Sequence, residues 1–373
     1  MNINRIAEVW DVTVVGGGPA GSAAAISAAK MGLKVLQVDA KAFPRRKVCG
    51  GCLNQVSIRL LQQLVGDDSA IWNQAAPLNC FRLMDRQQQF DFPTPAGLVI
   101  ERSRLDAGLV ESGQHHCVTF LAPVTAALGD ADSSFRSVEL RVGSETKSIR
   151  SRVVILATGL GSLRGVPEQL QQTAHPTSRV GVEGLVQTST SNIDQGLIQM
   201  AVGRNGYVGM TKLSDQQIHL AAAVDRAVLR EIGPQMIVQR ILDDAGADQH
   251  LNGGIEWRGT PALTARAKRL GVARVFLVGD AANYVEPFTG EGILWALKSG
   301  MGVATLLASA IENWDDSLIE KWEAWHRANI QSQQKLCQQI SFGLKHPSLR
   351  WLAHQLLRLQ PKIAHHVIHR LNT

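Results

Sequence analysis

The sequence predicts an α/β fold in which strand–helix units at both ends of the chain enclose strand-rich segments. A β-branched run at residues 11–15 is followed by a glycine-rich turn and by the alanine-rich segment Ser22–Met31, which is the order of a buried strand and a helix. Two further strand-like runs, residues 153–156 and 275–278, each end in a turn that contains glycine. Residues 178–225 alternate like the strands of a sheet.

The first strand–helix–strand unit is the clearest of the predicted elements. Gly32 ends the alanine-rich helix, as a C-terminal glycine should, and Leu33–Asp39 forms a second strand. The unit spans about 30 residues, the length of a parallel crossover. Downstream, the pattern predicts helices at Gln55–Leu64, Arg104–Ser112 and about Glu291–Glu312, a hairpin at 136–142 and 147–152, and short strands within 78–100 interrupted by Pro93 and Pro95.

The composition indicates a globular protein in a reducing compartment. Of 373 residues, 45% are hydrophobic and 19% are charged, which excludes disordered, collagen-like and coiled-coil chains. Five cysteines at irregular spacing do not form a disulfide framework. Pro19 and Lys298 interrupt the two longest apolar stretches, so neither predicts a membrane span. Because Glu8 and Asp11 stand where a signal peptide would be basic, we expect a cytoplasmic protein.

Positive charge is concentrated in the last 50 residues, 324–373. This segment contains seven Lys or Arg, six of the eleven His and no Asp or Glu, in a chain with a net charge of +6. One interpretation is a solvated helical cap on the fold. The other is a basic amphipathic surface that contacts anionic lipid, which would place the protein at the inner face of a membrane. We expect no nucleic-acid partner, because the segment has no aromatic residues arranged for base stacking.

The glycine-rich turn at residues 16–21 satisfies the pattern G-x-G-x-x-G. It follows a strand, opens a helix and is followed by Asp39 at the end of the next strand, which is the context of a dinucleotide signature. We expect Gly16 to permit the tight turn, Gly18 to let the backbone approach a pyrophosphate, and Gly21 to let helix and strand pack closely. Asp39 can accept hydrogen bonds from a ribose and would repel a 2′-phosphate. NAD or FAD therefore fits this motif, and NADP does not.

Further motifs in the same order along the chain resemble those of one enzyme family. They are Arg102-x-x-x-Asp106, Ala157-Thr158-Gly159, Gly279-Asp280-Ala281-Ala282-Asn283 and Pro287-Phe288-Thr289-Gly290-Glu291-Gly292-Ile293. Together with the glycine-rich turn, they resemble the FAD-dependent family built on the para-hydroxybenzoate hydroxylase fold. The resemblance covers roughly residues 8–312. It implies a Rossmann-like FAD-binding domain with an inserted sheet-rich substrate domain and a helical C-terminal region.

The resemblance also implies the domain boundaries and the cofactors. We expect a discontinuous FAD-binding domain, a substrate-binding domain and a basic helical C-terminal region. The FAD-binding domain would comprise residues 8–76, 101–165 and 270–312. The substrate-binding domain would comprise 77–100 and 166–269, and the C-terminal region 313–373. The sequence has one G-x-G-x-x-G, which FAD would take, with NADH or NADPH as a transient electron donor.

Individual residues acquire expected roles from the same resemblance. Asp280 would hydrogen-bond the ribityl chain, Arg102 would reach the flavin chain or phosphates, and Val124 would contact adenine through its backbone. The alternatives are a turn cap for Asp280, a surface ion pair for Arg102 and simple packing for Thr158. The implied cofactor-binding residues are Gly16, Gly18, Pro19, Ala20, Gly21, Asp39, Lys47, Arg102, Val124, Ala157, Thr158, Gly159, Gly279, Asp280, Pro287, Gly290, Glu291, Gly292 and Ile293.

A Cys-Gly-Gly sequence that begins at Cys49, after the basic stretch at 44–47, resembles the geranylgeranyl reductase branch of this family. In that branch the cysteine lies near the flavin and the substrate, so Cys49 is the predicted catalytic residue. Cys49 and Cys52 also form C-x-x-C, which leaves a redox dithiol as an alternative to a simply buried Cys52. The other cysteines offer no second pair, and no metal site is predicted.

Residues 206–213 depart from the pattern of that branch. Geranylgeranyl reductases usually carry Tyr-x-Trp-x-Phe-Pro here, whereas this sequence keeps only Tyr207. Tyr207 and Met210 are candidate substrate-pocket residues, with a place in the sheet core as the alternative for each.

The resemblance therefore implies an FAD-dependent oxidoreductase acting on an apolar small molecule, such as an isoprenoid, a polyketide or another lipid-like compound. The expected reaction is reduction of a C=C bond by hydride transfer from reduced flavin. One alternative is a flavin monooxygenase that hydroxylates or epoxidises its substrate through a C4a-hydroperoxide. An alternative of another class is a non-catalytic, flavin-holding protein that docks on a membrane.

Overall fold

The computed structural model describes residues 3–86, 88–161, 163–187, 193–214, 216–251, 253–286, 288, 290–346, 348–350 and 355. Its strands are β1 (Val9–Val15), β2 (Val35–Val38), β3 (Cys52–Leu53), β4 (Ala76–Asp85), β5 (Gln88–Val99), β6 (Thr119–Leu121), β7 (Thr125–Ala131), β8 (Arg136–Val142), β9 (Glu145–Leu156), β10 (Gln172–Ala174), β11 (Val180–Gln187), β12 (Leu197–Gly203), β13 (Gly206–Ser214), β14 (Gln217–Val224), β15 (Arg258–Ala262), β16 (Ala265–Ala267), β17 (Gly271–Val272), β18 (Val275–Leu277) and β19 (Asn283–Tyr284). Its α-helices are α1 (Pro19–Lys30), α2 (Gln55–Val65), α3 (Arg102–His115), α4 (Arg226–Ala245), α5 (Gly292–Ala304), α6 (Leu307–Glu312), α7 (Ser317–His326) and α8 (Ser332–Lys345).

A parallel sheet carries the strand–helix units that the sequence predicts. Its central order is β17-β18-β9-β1-β2-β6, and the strands from β18 to β6 run parallel. Val12, Val14 and Val154 are completely buried, because helices cover β1 and β9 and sheets of this kind read as continuous apolar runs. Three separate pieces of the chain supply these strands, and the predicted α/β fold class is confirmed.

A second sheet has the order β15-β11-β14-β13-β12-β4-β5-β3. Side chains on successive residues of a strand point to opposite faces, so each of these strands divides its residues between two environments. One face packs on α4, with Val208, Leu220 and Ile241 all buried between sheet and helix. The other face is turned toward the parallel sheet and forms one wall of a cavity.

Two sequence predictions differ from the structure in their details, and a third difference is a helix that the sequence analysis did not predict. The expected single helix at about 291–312 is two helices, α5 and α6, because the N–H groups of Thr305 and Leu306 bond to carbonyls three residues earlier and tighten the chain there. The expected short strands within 78–100 are two long strands, β4 and β5. Pro93 is tolerated in β5 because β3 pairs with only Leu98 and Val99, leaving the rest of that strand edge without a ladder partner.

The third difference is α4, which the sequence pattern does not predict. Gly233 inside it has a left-handed φ of 78° and precedes Pro234, so the helix is kinked and its apolar spacing is broken. In the C-terminal region, α7 continues through a π-helical turn at Arg327–Gln331 into α8, as the predicted helical region requires. Most of the basic segment after residue 350 lies outside the described residues. Among the helices that the structure describes, none is long and apolar enough to cross a membrane.

Small residues set the distance between α1 and α5, the two helices that begin at the cavity. A Cβ atom on Gly300 of α5 would lie 2.2 Å from the carbonyl oxygen of Ala20 and 2.9 Å from the Cβ of Ala23. Both contacts are shorter than carbon atoms tolerate, and the oxygen belongs to the backbone and cannot rotate away. The two helix backbones therefore touch at Gly300.

We expect Gly300→Ala to destabilise the protein by about 1–3 kcal/mol, because the added methyl group overpacks this contact. Gly343→Ala is the matched control, since a Cβ atom at Gly343 in α8 meets nothing within 4 Å. Urea unfolding should show a lower midpoint for Gly300→Ala and an equal or higher midpoint for Gly343→Ala. Equal midpoints for Gly300→Ala and the wild type would contradict the packing argument.

Candidate functional site

A cavity of about 910 Å³ lies between the parallel sheet and the second sheet. Its volume falls in the range of cofactor and ligand sites. At one end its wall follows the carboxyl ends of β1 and β9, where open α/β sheets bind their ligands, and at the other end it follows the start of α5. The cavity therefore joins the glycine-rich turn to the second group of predicted cofactor residues.

The glycine-rich turn is held by backbone contacts that only glycine permits. Gly16 has a φ of +123°, and a Cβ atom there would lie 2.2 Å from the carbonyl oxygen of Ala157. A Cβ atom on Gly21 would lie 2.0 Å from the carbonyl oxygen of Gly16. Gly16, Gly18, Pro19 and Ala20 line the cavity, whereas Gly21 lies behind them and acts through packing.

Asp39 ties the turn to the end of β2. Its buried carboxylate accepts hydrogen bonds from the N–H of Gly17 at 2.8 Å and from the N–H of Lys41 at 2.9 Å. Arg45 donates to the same carboxylate at 3.1 Å. Beside it, the N–H of Val124 donates to the Asp39 carbonyl oxygen, and both residues line the cavity. The acidic residue that the motif predicts thus stands at the cavity wall.

Two guanidinium groups flank the turn. Arg102 makes a bidentate pair with the completely buried Asp106, and Arg45 reaches the same carboxylate at 3.2 Å. Burial lowers the pKa of Arg102, but Asp106 outweighs it and leaves the pKa above its ordinary value. A Cβ atom on Gly18 would lie 3.7 Å from a guanidinium nitrogen of each arginine. This arrangement suits a pyrophosphate at the helix start. The sequence interpretation did not single out Arg45, although it lies in the basic stretch after β2.

Lys47 and Asp280 line the cavity between its two ends. Burial and the charge of Arg102 lower the pKa of Lys47, while burial raises the pKa of Asp280 against the opposing charges of Lys47 and Arg102. Thr158 and Gly159 lie on the same wall, beside the Lys47 ammonium. Gly279 is absent from the wall. Gly279 permits close packing instead, since a Cβ atom added there would lie 2.6 Å from the Cβ atom of Ala20.

The start of α5 forms the far end of the cavity through Gly290, Gly292 and Ile293. Glu291, an implied cofactor-binding residue, does not line it, and its contribution stays a prediction for the backbone at the helix start. Its side chain turns into the core, where it accepts a hydrogen bond from the Cys337 thiol at 3.1 Å. Free N–H groups in the first helical turn can still serve an anionic ring system. Pro287 lies outside the described residues.

Cys49 lines the cavity close to Arg102. Its sulfur accepts a hydrogen bond from the N–H of Gly51 at 3.4 Å. Burial raises the pKa of Cys52 to about 12, with a further contribution from Cys49, and the Cys52 thiol donates to the carbonyl oxygen of Gly50. A thiol with that pKa is a poor nucleophile at neutral pH. The raised pKa therefore argues against a redox dithiol, and Cys52 itself is partly exposed and lines the same cavity.

The cavity wall formed by the second sheet is mostly apolar. Tyr207 and Phe288 meet edge to face at 4.9 Å, and Phe81 packs on Phe288 at 6.2 Å. The sequence interpretation missed most of this wall because alternating strand residues carry no motif. The sheet contributes Phe81, Ile198, Met200 and Tyr207 to it, while Leu263 follows β15 and Phe288 precedes α5.

The prediction that Met210 lines a substrate pocket is wrong. Tyr207 and Met210 are three positions apart on β13, and strand side chains alternate, so they point to opposite faces. Met210 is completely buried against α4, among Val208 and Ile241. Tyr207, in contrast, lines the cavity, and burial raises its pKa well above the ordinary value.

Comparison with known proteins identifies the family that has this architecture. A family model described as an FAD binding domain matches residues 9–334. The chain belongs to this FAD-binding family. A menaquinone reductase of Mycobacterium tuberculosis is 30% identical over 323 residues, which cover 80% of this chain and 76% of that relative. Digeranylgeranylglycerophospholipid reductase 1 of Methanococcoides burtonii is 26% identical over 338 residues, covering 86% and 80%.

Solved structures of this flavoprotein fold superpose over nearly the whole chain. A geranylgeranyl bacteriochlorophyll reductase-like protein of Thermoplasma acidophilum has a TM-score of 0.72 at 20% identity, covering 92% of this chain and 90% of that one. The flavin-dependent brominase Bmp2 has a TM-score of 0.79 at 17% identity, covering 98% and 93%. The resemblance drawn from the motifs is confirmed. The chain is an FAD-dependent oxidoreductase, and the non-catalytic alternative is set aside.

The residues at the cavity fit FAD. The turn leaves no room for a Cβ atom at Gly16, and Gly18 lines the cavity between two guanidinium groups that could bind a pyrophosphate. Asp39 stands at the wall where a ribose would lie. When bound, FAD supplies hydride or electron transfer at its ring system. The helix start at Gly292 would hold the ring end.

We expect Asp39→Asn to weaken FAD binding by about tenfold to a hundredfold, because Arg45 and two backbone N–H groups lose a charged acceptor. Titration of the apoprotein with FAD, followed by flavin fluorescence, measures the dissociation constant. Asp67→Asn, at an exposed position after α2, is the matched control and should leave the constant unchanged. An unchanged FAD dissociation constant for Asp39→Asn would show that Asp39 does not contribute to FAD binding.

Proposed function

We propose that this flavoprotein reduces C=C bonds of an isoprenoid or similarly apolar substrate. The observation that carries the proposal is the apolar wall of the second sheet, which shares one cavity with Cys49 and the start of α5. A substrate lying on this wall would place its chain beside the ring end of the cofactor site. The names of the relatives support the same chemistry, since they are reductases of menaquinone and of a digeranylgeranyl lipid.

Each part of the cavity has a distinct task in this proposal. The aromatic and aliphatic side chains around Phe288 bind the substrate chain and exclude water, because they offer it no hydrogen bonds. Cys49 and Tyr207 orient the reacting double bond from two sides of the cavity. Arg102, Lys47 and Asp280 hold the cofactor in place from the opposite wall.

The electron donor and the partners of the enzyme also belong to the proposal. NADH or NADPH would reduce the flavin as a transient donor without a dinucleotide motif of its own, since FAD would take the single motif. An apolar substrate partitions into membranes, and peripheral contact through residues 324–373 stays a prediction that liposome binding can examine. Phe342 on α8 and Leu349 beyond it are exposed large hydrophobic residues within this segment.

The reductase activity can be tested with the compounds named for the relatives. We expect the FAD-loaded protein, supplied anaerobically with NADH or NADPH, to add two hydrogen atoms per reduced double bond to menaquinone or to digeranylgeranylglycerophospholipid. Mass spectrometry of the extracted lipid measures this gain. Products that instead gain an oxygen atom, and only in air, would establish the monooxygenase alternative. Unmodified lipid under both conditions would exclude both substrate assignments.

We further expect Ala221→Phe to slow reduction of a long isoprenoid by about tenfold or more, because the new ring would fill the cavity beside Gly209. Ala221→Ser is the control, because serine is close to alanine in size and leaves the cavity open. FAD content should be equal in both variants, since Ala221 lies on the second sheet and away from the glycine-rich turn. Steady-state rates with the lipid measure the effect, and equal rates would show that the substrate lies elsewhere.

A further inference from the structure

Two ionisable side chains lie on the face of the second sheet that is turned toward the cavity. Glu183 on β11 lies opposite Ala221, and His219 on β14 lies opposite Leu185, so the two are diagonal neighbours on the face turned toward the cavity. Glu183 is 4% exposed and His219 is 7% exposed. The His219 Nε2 atom lies 3.6 Å from the Glu183 Oε1 atom, within ion-pair distance.

The Glu183 carboxylate remains charged in spite of its burial. Burial pushes its pKa up, but contacts with His219 and Arg46 outweigh this effect and leave the pKa below the ordinary value. Arg46 approaches Oε1 at 3.0 Å and also reaches Glu256 at 3.6 Å. The second carboxylate oxygen, Oε2, is buried and has no hydrogen-bond partner among the described residues. A charged group with a free acceptor is costly to bury unless it serves a ligand or a water molecule.

A small side cavity adjoins this pair. Its volume is about 20 Å³, which is enough for about one water molecule. Its lining includes Cys49, Glu183 and His219, together with Glu101 and Ser103. His219 and Cys49 also line the large cavity, so the imidazole ring borders both the substrate wall and the water-sized space.

We propose that His219, oriented by Glu183, is the acid that gives a proton to the substrate during the reduction proposed above. The inference rests on that proposed function. Nε2 faces the carboxylate, which leaves the Nδ1–H group for the substrate. Histidine exchanges protons near neutral pH, and a carboxylate partner is the usual means of fixing its ring. Cys49 then serves to orient the double bond rather than to protonate it.

Reduced FAD, when bound, would supply a hydride to one alkene carbon. The electron pair of the C=C bond would form a new C–H bond at the other carbon with the proton from His219. The Nδ1–H bond breaks, the imidazolium becomes neutral imidazole, and the flavin is oxidised. After the product leaves, a water molecule that enters the cavity returns a proton to Nδ1 from solvent.

Single-turnover reduction of a lipid probe tests the assignment. The FAD-loaded protein is reduced with dithionite under anaerobic conditions and mixed with menaquinone or digeranylgeranylglycerophospholipid, and flavin absorbance and lipid mass are followed. We expect His219→Gln to slow the reaction by about a hundredfold or more, as loss of a general acid does. His175→Gln, at an exposed position outside both cavities, is the matched control and should react at the wild-type rate.

Two further measurements separate proton donation from a structural role. Free imidazole should restore the rate of His219→Ala, while the FAD content and the unfolding midpoint of that variant stay at wild-type values. In the ¹⁵N spectrum of histidine-labelled protein without lipid, Glu183→Gln should shift the ring signals of His219 and leave those of His175 in place. Unmoved signals would contradict the pairing on which the inference depends.

The possible failures are distinguishable. A wild-type rate in His219→Gln would overturn the assignment of His219 and leave the proposed function standing. The same conclusion would follow if Cys49→Ser lost the reaction while His219→Gln kept it. If the wild-type protein reduces neither lipid, the proposed function and the inference fall together.

Discussion

Backbone contact at the glycine-rich turn is the constraint on which the rest of the structure depends. Gly16 touches Ala157 at the end of β9, Gly21 touches Gly16, and Gly300 touches Ala20 at distances that exclude a Cβ atom. These contacts bring β1, β9, α1 and α5 to a common edge. Because α5 begins at this edge, its first turn and the first turn of α1 open into one cavity. A cofactor that spans both helix starts can bind only where this spacing is kept.

The second constraint is the alternation of strand side chains in the other sheet. Each of β11 to β14 gives one set of residues to the core around α4 and the other to the cavity. The core set can be large and aliphatic, as Ile218 and Leu220 are, whereas the cavity set mixes Ala221 and Gly209 with aromatic rings. The small residues keep the cavity open, and rings such as that of Tyr207 give the cavity an apolar surface.

The sequence predicted the cofactor half of the molecule far better than the substrate half. Glycines at Gly16 and Gly21 and the acid at Asp39 are required at fixed spacings by backbone geometry, so a single sequence displays them. The pairing of Glu183 with His219 joins residues 36 positions apart across two strands and leaves no local pattern. Met210 takes the place in the sheet core that was the alternative to a pocket, because it lies three positions from Tyr207 and so points to the opposite face. The motif at Glu291 fixes its backbone and not the direction of its side chain, which lies in the core beside Cys337.

Cofactor and substrate share one undivided chamber, and this has an evolutionary consequence. The wall that would hold FAD comes from turns whose backbones cannot change without loss of the fold, while the opposite wall comes from strand positions that exchange freely as long as every second residue stays apolar. Selection can therefore remodel the substrate end while the cofactor end is conserved. Proteins of different activity, such as the two reductases and the brominase compared above, can share this fold because the two walls of the chamber change independently.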